Sequence, residues 1–431
     1  MTLKEKIISK KARVGIIGLG YVGLPEAVAA GIAGFSVTGI DLDRKKVNDI
    51  NHGRLYIPDV KEEDFKQVVK TEALRATTNF RVIPELDVIC IAVPTPFNAN
   101  KEPDLTAVKE ATDQIAKYLR RDQLIILEST TYPGTTREVL LPRLQEKGLK
   151  VGRDFYLAFS PERIDPGNKE YTITNTPKIV GGITGRCTEM AKLFYSQFII
   201  KTVPVSSTES AEMTKLLENI FRLVNIALVN ELMLLSDRMK INIWEVVEAA
   251  KTKPFGFMSF MPGPGVGGHC IPVDPVYLSW KAKEYDFHTR FIELAAEINS
   301  NMPYYVVSKI LTLLRKKARK KYTVLVLGAA FKKCVSDVRN SPALKVIELL
   351  QNEGIKVVYN DPYVPQISVR GRIIKSLPLK EKLLKSVDCV AIITDHPDYD
   401  YNWLARHSRL ILDTRNATKE VREFRTKIIR I

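Results

Sequence analysis

The stretch GPGVGGHCIPVDP, residues 263–275, presents one thiol on an unusually bare loop. Four glycines and three prolines surround Cys270. Glycine lets a ligand approach the backbone and proline stiffens the chain, so the loop is suited to presenting a reactive group. A thiol here can act as a nucleophile if positive groups favour its thiolate, with Asp274 as a partner for a lysine or a water. From the residues alone, an inert buried cysteine is an equal alternative.

A metal site at this loop is disfavoured. His269 and Cys270 are adjacent in the chain, and two adjacent side chains cannot easily both point at one ion. The five cysteines form no CxxC pair, so neither a zinc knuckle nor a disulfide framework is indicated. We therefore expect no metal, and we expect the thiols to be free.

A lysine and an asparagine lie together on a predicted long helix. The sequence from Ser206 resembles a capping box with Glu209, and no Pro or Gly interrupts the helical pattern until past Leu235. Lys215 and Asn219 stand at i and i+4, so they share a face and could reach one bound oxygen, or they could form a solvated face. The apolar stripe of this helix predicts either a dimer seam or intrachain core, and it consists of Met213, Leu217, Ile220, Val224 and Leu228.

The first forty residues read as strand, glycine turn, helix and strand. The glycines of GLGYVG, Gly18, Gly20 and Gly23, follow the strand and open the helix, where backbone amides can receive a pyrophosphate. Asp41 ends the next strand, where a carboxylate can bond a ribose 2′-OH and repel a 2′-phosphate. Arg44 nearby slightly weakens that discrimination. The pattern favours NAD over NADP.

Three later strand ends also carry polar groups. VPTP and ESTTYPGTT place Thr95 and Thr130 at the carboxyl edge of the predicted sheet, where ligands of this fold bind. In FSPERIDPGN, Glu162 follows a strand and could accept a proton or hold a water. An ion pair with Arg163 at the surface is the plain alternative for this glutamate.

The apolar runs and helical stretches predict an α/β protein with two Rossmann-like doubly wound domains joined by a long central helix region. We expect an NAD-binding domain at 1–205, a central helical domain at 206–310 and a C-terminal domain at 311–431. The turn in YTVLVLGAAFKK keeps only Gly328 of a phosphate fingerprint, so the last domain is expected to hold a different ligand.

Composition restricts the class of protein. The 431 residues carry a formal charge of +16 with 45% hydrophobic residues, which indicates an ordinary globular chain with anionic ligands. The basic run at 315–321 is typical of a solvated helix end, and no nucleic-acid module is present, so we expect no nucleic-acid partner. No apolar run approaches a membrane span, and the polar start lacks a signal sequence, which predicts no membrane association and a cytoplasmic protein.

The ordered motifs together resemble those of the nucleotide-sugar 6-dehydrogenase family, which includes UDP-glucose and GDP-mannose dehydrogenases. That family oxidises the C6 alcohol of a nucleotide-linked sugar to a carboxylate with two NAD⁺ in succession. The resemblance covers nearly the whole chain and rests on GLGYVGLP, VPTP, ESTTYPGTT, FSPERIDPGN, AEMTKLLENIFR, PGPGVGGHCIPVDP, GAAFKKCVSDVRNSPAL, TDH and DTRN.

The resemblance implies covalent catalysis by Cys270. The thiol would add to the C6 aldehyde as a thiohemiacetal, a second oxidation would give a thioester, and water would cleave it. It further implies that Lys215 and Asn219 hold the C6 oxygen, and that a water is positioned by Thr130, Glu162 and Asp274.

The resemblance also implies binding residues, a substrate and a homodimer formed through the helix region that begins at Ser206. The NAD contacts would be Gly18, Gly20, Tyr21, Val22, Gly23, Asp41, Arg44, Thr95, Thr130 and Arg339. The nucleotide-sugar contacts would be Glu162, Arg163, Lys215, Asn219, Phe260, Gly268, Phe331, Lys332 and Arg415. The last three of these would make 311–431 a UDP-sugar-binding domain.

The loop TKPFGFMSFMPGPGVGGHC, taken with ERIDPGN, is similar to the branch that acts on UDP-N-acetylglucosamine. UDP-N-acetylmannosamine and UDP-glucose remain alternative substrates, and a dinucleotide-sensing binding protein is the non-enzymatic alternative. Two positions depart from the family pattern. Thr131 and Tyr132 replace the commoner Val-Pro, which affects the nicotinamide pocket, and Asn340 stands where an acidic residue is usual, which puts a nearby ion pair in doubt.

Overall fold

A computed structural model describes residues 1–57, 59–98, 102–164, 168, 170–268, 270–315 and 321–431. His269, most of the basic run and part of the IDPGN segment lie outside these residues. The chain divides into two compact units. The first unit comprises residues 1–218 and 276–287, and the second comprises residues 219–275 and 288–431. The three-domain division remains a prediction.

In the described part of the first unit, eight strands form one sheet in the order β3-β2-β1-β4-β5-β6-β7-β8. The strands are β1 (Arg13–Ile17), β2 (Ser36–Ile40), β3 (Leu74–Thr77), β4 (Val88–Ile91), β5 (Leu124–Leu127), β6 (Tyr156–Phe159), β7 (Lys178–Gly182) and β8 (Thr202–Val205). The first six are parallel in the doubly wound order, and β7 pairs antiparallel with β6. Strands β4 and β5 are buried throughout because helices cover both faces.

The helices of the first unit separate these strands along the chain. They are α1 (Leu3–Ile8), α2 (Gly23–Ile32), α3 (Arg44–Asn51), α4 (Glu62–Lys70), α5 (Thr106–Tyr118), α6 (Leu141–Gln145) and α7 (Gly185–Tyr195), with a 3₁₀ turn at Phe80–Glu85 and a π turn at Thr136–Leu140. The carboxyl ends of β1, β4 and β5 therefore meet at one edge of the sheet, where the predicted ligand residues follow them.

In the described part of the second unit, five parallel strands have the order β10-β9-β13-β14-β15, another doubly wound arrangement. They are β9 (Thr323–Leu327), β10 (Lys356–Asn360), β13 (Cys389–Ile392), β14 (Ile411–Asp413) and β15 (Ile428–Arg430), beside a hairpin of β11 (Gln366–Val369) and β12 (Arg372–Lys375). The helices are α9 (Ile243–Lys251), α11 (Arg290–Arg315), α12 (Pro342–Asn352), α13 (Glu381–Ser386) and α14 (Tyr401–His407). The predicted α/β class with two doubly wound sheets is confirmed.

Two helices pass from one unit into the other along the chain: α8 (Thr208–Met239) and α10 (Cys270–Ala282), which a 3₁₀ turn at Lys283–Tyr285 follows. The predicted capping box at Ser206 is wrong by one residue. Ser207 Oγ accepts a hydrogen bond from the backbone N–H of Ser210 at 3.1 Å, because the helix begins at Thr208 and the capping side chain must immediately precede it.

By length and composition alone, α8 could cross a membrane, in contrast to the prediction that no apolar run approaches a membrane span. Its most apolar 18-residue window has a mean hydropathy of 1.3, and 33% of that window is buried. The apolar residues fall on two faces. Leu216 and Leu223 are buried, whereas Leu217 and Leu228 are 60% and 52% exposed. This division is typical of a helix that packs on its own chain along one side and leaves an apolar stripe on the other.

Candidate functional site

The turn between β1 and α2 is shaped for a ligand that approaches the backbone. Gly18 has φ +94°, and a Cβ there would lie 2.4 Å from the carbonyl oxygen of Ala92. A Cβ at Gly23 would lie 1.9 Å from the carbonyl oxygen of Gly18. A Cβ at Gly20 would meet no atom within 4 Å. Packing therefore requires two of the glycines, whereas the third leaves open backbone at the start of a helix, as a pyrophosphate needs.

Asp41 follows β2 and is fixed against this turn. Its Oδ2 accepts hydrogen bonds from the backbone N–H of Leu19 at 2.9 Å and from Lys46 Nζ at 3.1 Å, while Oδ1 accepts from the N–H of Asp43. Arg44 is the first residue of α3 and is exposed. These groups fit NAD, which when bound supplies the hydride acceptor.

The remaining predicted NAD residues of the first unit lie around the same edge. Tyr21 is 38% exposed, and Val22 immediately precedes α2. Thr95 is buried after β4, and its carbonyl oxygen accepts a hydrogen bond from the Tyr277 hydroxyl. Thr130 is half-buried three residues after the end of β5. The sheet thus brings together residues that are far apart in the sequence.

Glu162 follows β6 and is held at both carboxylate oxygens. Oε1 accepts hydrogen bonds from the backbone N–H groups of Arg163 and Ile164, each at 2.6 Å, and Oε2 pairs with Lys178 Nζ at 3.1 Å. Arg163 turns away to Glu218 of α8, with Nη2 2.7 Å from Oε1. Glu162 and Arg163 therefore do not form the surface ion pair given as the alternative. Glu162 pairs with Lys178, and Arg163 pairs with Glu218.

The predicted nucleophile lies in the second unit. Cys270 is exposed and begins α10, where the helix dipole favours a thiolate. Asp274 is one turn further on the same helix and is buried. Asn219 Nδ2 donates a hydrogen bond to Asp274 Oδ2. The structure thus brings together three of the predicted catalytic residues, and Lys215 lies one turn before Asn219 on α8, in the first unit.

The Cys270 loop is tied to the segment 331–340 of the same unit. Gly268 has φ +88°, its N–H donates to the carbonyl oxygen of Arg339 at 2.9 Å, and a Cβ there would lie 2.9 Å from the Phe331 ring. Asn340 Nδ2 donates to the carbonyl oxygen of Gly268 at 3.0 Å. A carboxylate could not donate this bond, so the departure at Asn340 has a structural reason.

The other predicted nucleotide-sugar residues have defined positions in the second unit. Arg415 Nε pairs with Asp395 at 3.2 Å, and its Nη1 would lie 2.5 Å from a Cβ at Gly263. Phe260 packs edge-on against Phe221, with ring centroids 5.7 Å apart. Lys332 is half-buried beside Phe331, and the Arg339 guanidinium, predicted to contact NAD, pairs with Asp337 at 2.6 Å.

The residue of the second sheet that corresponds in position to Asp41 has no oxygen left for a ribose. Asp361 follows β10, as Asp41 follows β2, but it is buried. Its Oδ2 accepts from Ala329 N, Ala330 N and His396 Nε2 at 2.7, 2.9 and 3.1 Å, and Oδ1 accepts from two further backbone N–H groups. A saturated carboxylate supports the expectation that this domain holds a different ligand.

Glu212 of α8 is a residue that sequence reasoning missed. It is buried, and its carboxylate accepts from the N–H groups of Gly134 and Thr136 at 2.6 and 2.9 Å and from the Thr136 hydroxyl at 2.7 Å. It therefore joins the loop that carries Thr130 to the helix that carries Lys215. A lone glutamate in a helix gives no sequence signal, because its partners lie 76–78 residues away.

We predict that Glu212 makes stability fall with rising pH. Burial raises the pKa of Glu212 to about 7 from 4.5, against the hydrogen bonds, which lower it. The folded state then gains stability below pH 4.5 that it loses as the pH rises through 7. Relative to Glu212→Gln, the free energy of unfolding of the parent should fall by about 3 kcal/mol across that window. Denaturant unfolding at pH 5 and pH 8 measures the difference.

Glu209 provides the control for this prediction. Burial acts to raise the pKa of Glu209, but the hydrogen bond from Arg137 outweighs burial and lowers this pKa to about 2. Its stabilising contribution is present above the unfolded pKa and is lost only as pH falls toward 2, so Glu209→Gln should change stability equally at pH 5 and pH 8. Parallel pH dependences for the parent and Glu212→Gln would contradict the prediction.

Comparison with known proteins gives matches over most of the chain. Residues 12–199 match the NAD binding domain of the UDP-glucose/GDP-mannose dehydrogenase family, residues 209–301 match its central domain, and residues 325–420 match its UDP binding domain. The three matched regions include every predicted site residue.

Relatives named for two different sugars are similar to the chain. A UDP-N-acetyl-D-mannosamine dehydrogenase from Pyrococcus horikoshii is 36% identical over 95% of this chain and 96% of its own length. A UDP-N-acetyl-D-glucosamine 6-dehydrogenase from Pseudomonas aeruginosa is 37% identical over 82% of this chain and 84% of its own. A solved structure, the UDP-D-ManNAc dehydrogenase of Pyrococcus horikoshii, has a TM-score of 0.87 at 33% identity and covers 97% of this chain and 98% of that one.

Proposed function

Because the chain belongs to the UDP-glucose/GDP-mannose dehydrogenase family, we propose that this NAD-dependent UDP-sugar dehydrogenase oxidises C6 of UDP-N-acetyl-D-glucosamine to the uronate. The observation that carries the proposal is the placement of Cys270 at the start of α10, one turn before Asp274, which Asn219 binds. A nucleophile, a carboxylate and an amide donor in this arrangement suit covalent oxidation of an aldehyde.

The first oxidation needs a group that stabilises the alkoxide formed when the C6 hydroxyl loses its proton. In our proposal, the Lys215 ammonium and the Asn219 amide donate to that oxygen. A water positioned by Glu162, Thr130 and Asp274 assists the transfer of the proton that the hydroxyl loses. When bound at the glycine turn and Asp41, NAD⁺ would supply the hydride acceptor for each of the two oxidations, and the first oxidation would leave an aldehyde.

The second oxidation needs a covalent bond to Cys270. The thiolate adds to the aldehyde carbon, and the resulting thiohemiacetal still carries a hydrogen at C6 that can leave as hydride. Its loss gives a thioester. Asp274 and Glu162 then orient the water that attacks the thioester carbonyl, which releases the carboxylate and restores the thiol.

UDP-N-acetyl-D-mannosamine is the second candidate substrate, since relatives named for each of the two sugars match at nearly equal identity. The two sugars differ only in configuration at C2. The stretch TKPFGFMSFMPGPGVGGHC, residues 252–270, taken with ERIDPGN, favours the gluco sugar by resemblance, whereas its GGHC end is shared by both kinds of enzyme.

The reaction can be tested with purified protein, NAD⁺ and three UDP-sugars. We expect two NADH for each uronate, with the highest kcat/KM for UDP-N-acetyl-D-glucosamine and lower values for UDP-N-acetyl-D-mannosamine and UDP-glucose. One NADH per product would overturn the thioester scheme. Binding of NAD without turnover of any of the sugars would favour a dinucleotide-sensing protein.

We also propose that the enzyme is a cytoplasmic homodimer. Cys270 forms no disulfide, and a reduced thiol persists in a reducing compartment. The exposed stripe of α8 provides the self-complementary surface, and at 32 residues the helix is about 48 Å long. The stripe consists of Met213, Leu217, Phe221, Leu228, Leu232, Leu235 and Met239, each at least 42% exposed in the single chain.

We predict that charges in this stripe dissociate the dimer. Leu228→Glu combined with Leu235→Glu should shift the protein from dimer to monomer in size-exclusion chromatography with light scattering, because each carboxylate would be desolvated at the interface. Ile373→Glu is the control, since Ile373 is 67% exposed on the β11–β12 hairpin and should leave the dimer intact. A monomeric parent, or a parent recovered with membranes, would contradict the proposal.

A further inference from the structure

Behind Glu162 lies a buried lysine that the mechanism above does not use. Lys178 begins β7, and its Nζ lies 2.7 Å from Glu128 Oε1 and 3.1 Å from Glu162 Oε2. The side chains of Lys178, Glu128 and Glu162 are 5%, 0% and 11% exposed. Because ion pairs this deeply buried require desolvation of each charge, their presence is not explained by a simple gain in stability.

Other buried polar groups surround this lysine. The Tyr195 hydroxyl donates to Glu128 Oε1, and Lys178 Nζ lies 4.8 Å from the centroid of the Tyr195 ring. One carboxylate oxygen of Glu26, one of Glu128 and the sulfur of Cys90 all lie within 4.8 Å of one another. Among the described residues, no donor meets either oxygen of Glu26 or the second oxygen of Glu128. A proton shared between the two carboxyl groups supplies the missing donor.

The charges of the cluster follow from this arrangement. Burial, and then Glu128, raises the pKa of Glu26 well above its ordinary range, so Glu26 is neutral. Burial acts to lower the pKa of Lys178, but the charges of Glu128 and Glu162 raise it well above its ordinary value. Burial likewise acts to raise the pKa of Glu128, and Lys178 more than offsets it. One ammonium therefore faces two carboxylates.

The contacts of Glu162 restrict what it can do. Its Oε1 already accepts from the backbone N–H groups of Arg163 and Ile164, and Lys178 holds the other oxygen. A carboxylate that accepts from three donors has a fixed direction. It is suited to orient a water through its remaining lone pair.

We propose that Lys178 is a positioning residue that holds Glu162 as an oriented anion, with Glu128 as the second anion that keeps the lysine charged and in place. The inference rests on the proposed function, because Glu162 is its candidate water-orienting group. Lys178 itself acts only through Glu162. Glu26 lies in the first turn of α2, so the same cluster extends to the helix that opens at the dinucleotide turn.

The test uses Lys178→Met, which keeps the length of the side chain and removes its charge. We expect kcat to fall about 100-fold, as for a misplaced catalytic group, while KM for both substrates changes little. In a Glu162→Gln background, Lys178→Met should cause no further loss.

Lys281→Met is a matched control. Lys281 is also a buried lysine that pairs with two carboxylates, Glu138 and Glu284 at 2.7 and 2.6 Å, and lies 5.2 Å from the Tyr132 ring. Its replacement should lower stability and add to the effect of Glu162→Gln. If Lys178→Met behaves in the same way, Lys178 is only structural and the proposal is overturned.

Two further measurements keep the proposal open to refutation. Should Lys178→Met fail to fold, the double variant Lys178→Met/Glu128→Gln also removes the unpaired buried anion, and Lys178→Arg should retain most of kcat. A crystal structure of Lys178→Met or of the double variant shows the orientation of the Glu162 carboxylate without an activity measurement. If that carboxylate has not moved, the inference is overturned, whether or not the proposed reaction is right. A stoichiometric metal bound by Glu26, Cys90 and Glu128 would also overturn it.

Discussion

Replacement of Cys270 by serine is expected to lower the rate of uronate formation by about 10³-fold or more, as loss of a covalent nucleophile does. The helix dipole at the start of α10 favours the thiolate of Cys270. A serine hydroxyl is far less acidic than a thiol, so serine at this position would remain a neutral and weak nucleophile. Without the covalent adduct, the aldehyde has no route to its second hydride loss. In a single turnover, the parent should form two NADH per active site and Cys270→Ser no more than one.

Cys334→Ser is the control for this variant. Cys334 is the other exposed cysteine among the five, all of which are described. It lies in the second unit, where its backbone N–H donates to His396 Nδ1 at 3.2 Å, a contact that serine keeps. Its turnover should stay within about twofold of the parent, as for most surface substitutions. Uronate formation by Cys270→Ser near the parent rate would remove Cys270 from the mechanism.

Most of the two sheets could be predicted from the sequence because their central strands are continuous apolar runs. The apolar runs in PKIVGG, IKVVYND, DCVAIITDH and SRLILDTRN predict β7, β10, β13 and β14, whereas β3, β8, β11, β12 and β15 have no such prediction. Three of them form sheet edges and the other two form a separate hairpin. Edge strands are short and partly polar because solvent reaches them, as LRAT and TVPV show, and Pro204 is tolerated at such an edge. The apolar signal is therefore weakest where the sheet ends.

The candidate site divides in a similar way. Its local parts could be predicted: the glycine turn with Asp41, and the i, i+4 pair Lys215 and Asn219, depend on spacing within one or two elements. The buried contacts could not, because each joins residues that only the fold brings together. Lys178 pairs with Glu128, 50 positions earlier in the chain. Its one sequence signal is a lysine at the head of the apolar strand KIVGG.

Replacement of Lys215 by methionine should have the second-largest effect on catalysis. Lys215 is 8% exposed on α8, and methionine keeps most of its packing while removing the charge. If the ammonium stabilises the alkoxide at C6, kcat should fall by about 10²–10³-fold with little change in KM, as for the loss of an oxyanion donor. Steady-state kinetics with the UDP-sugar varied at saturating NAD⁺ separates the two constants.

Two further variants decide how Lys215 acts. Asn219→Ala should lose less activity than Lys215→Met, and the double variant should lose less than the product of the two, because both groups are proposed to bind one oxygen. Arg222→Met removes an exposed cation two turns along the same helix from Lys215 and should leave kcat within about twofold of the parent. A Lys215→Met enzyme with a raised KM and an unchanged kcat would show that the lysine binds substrate and transition state equally. Lys215 would then be a binding residue, and stabilisation of the alkoxide would fall to Asn219 alone.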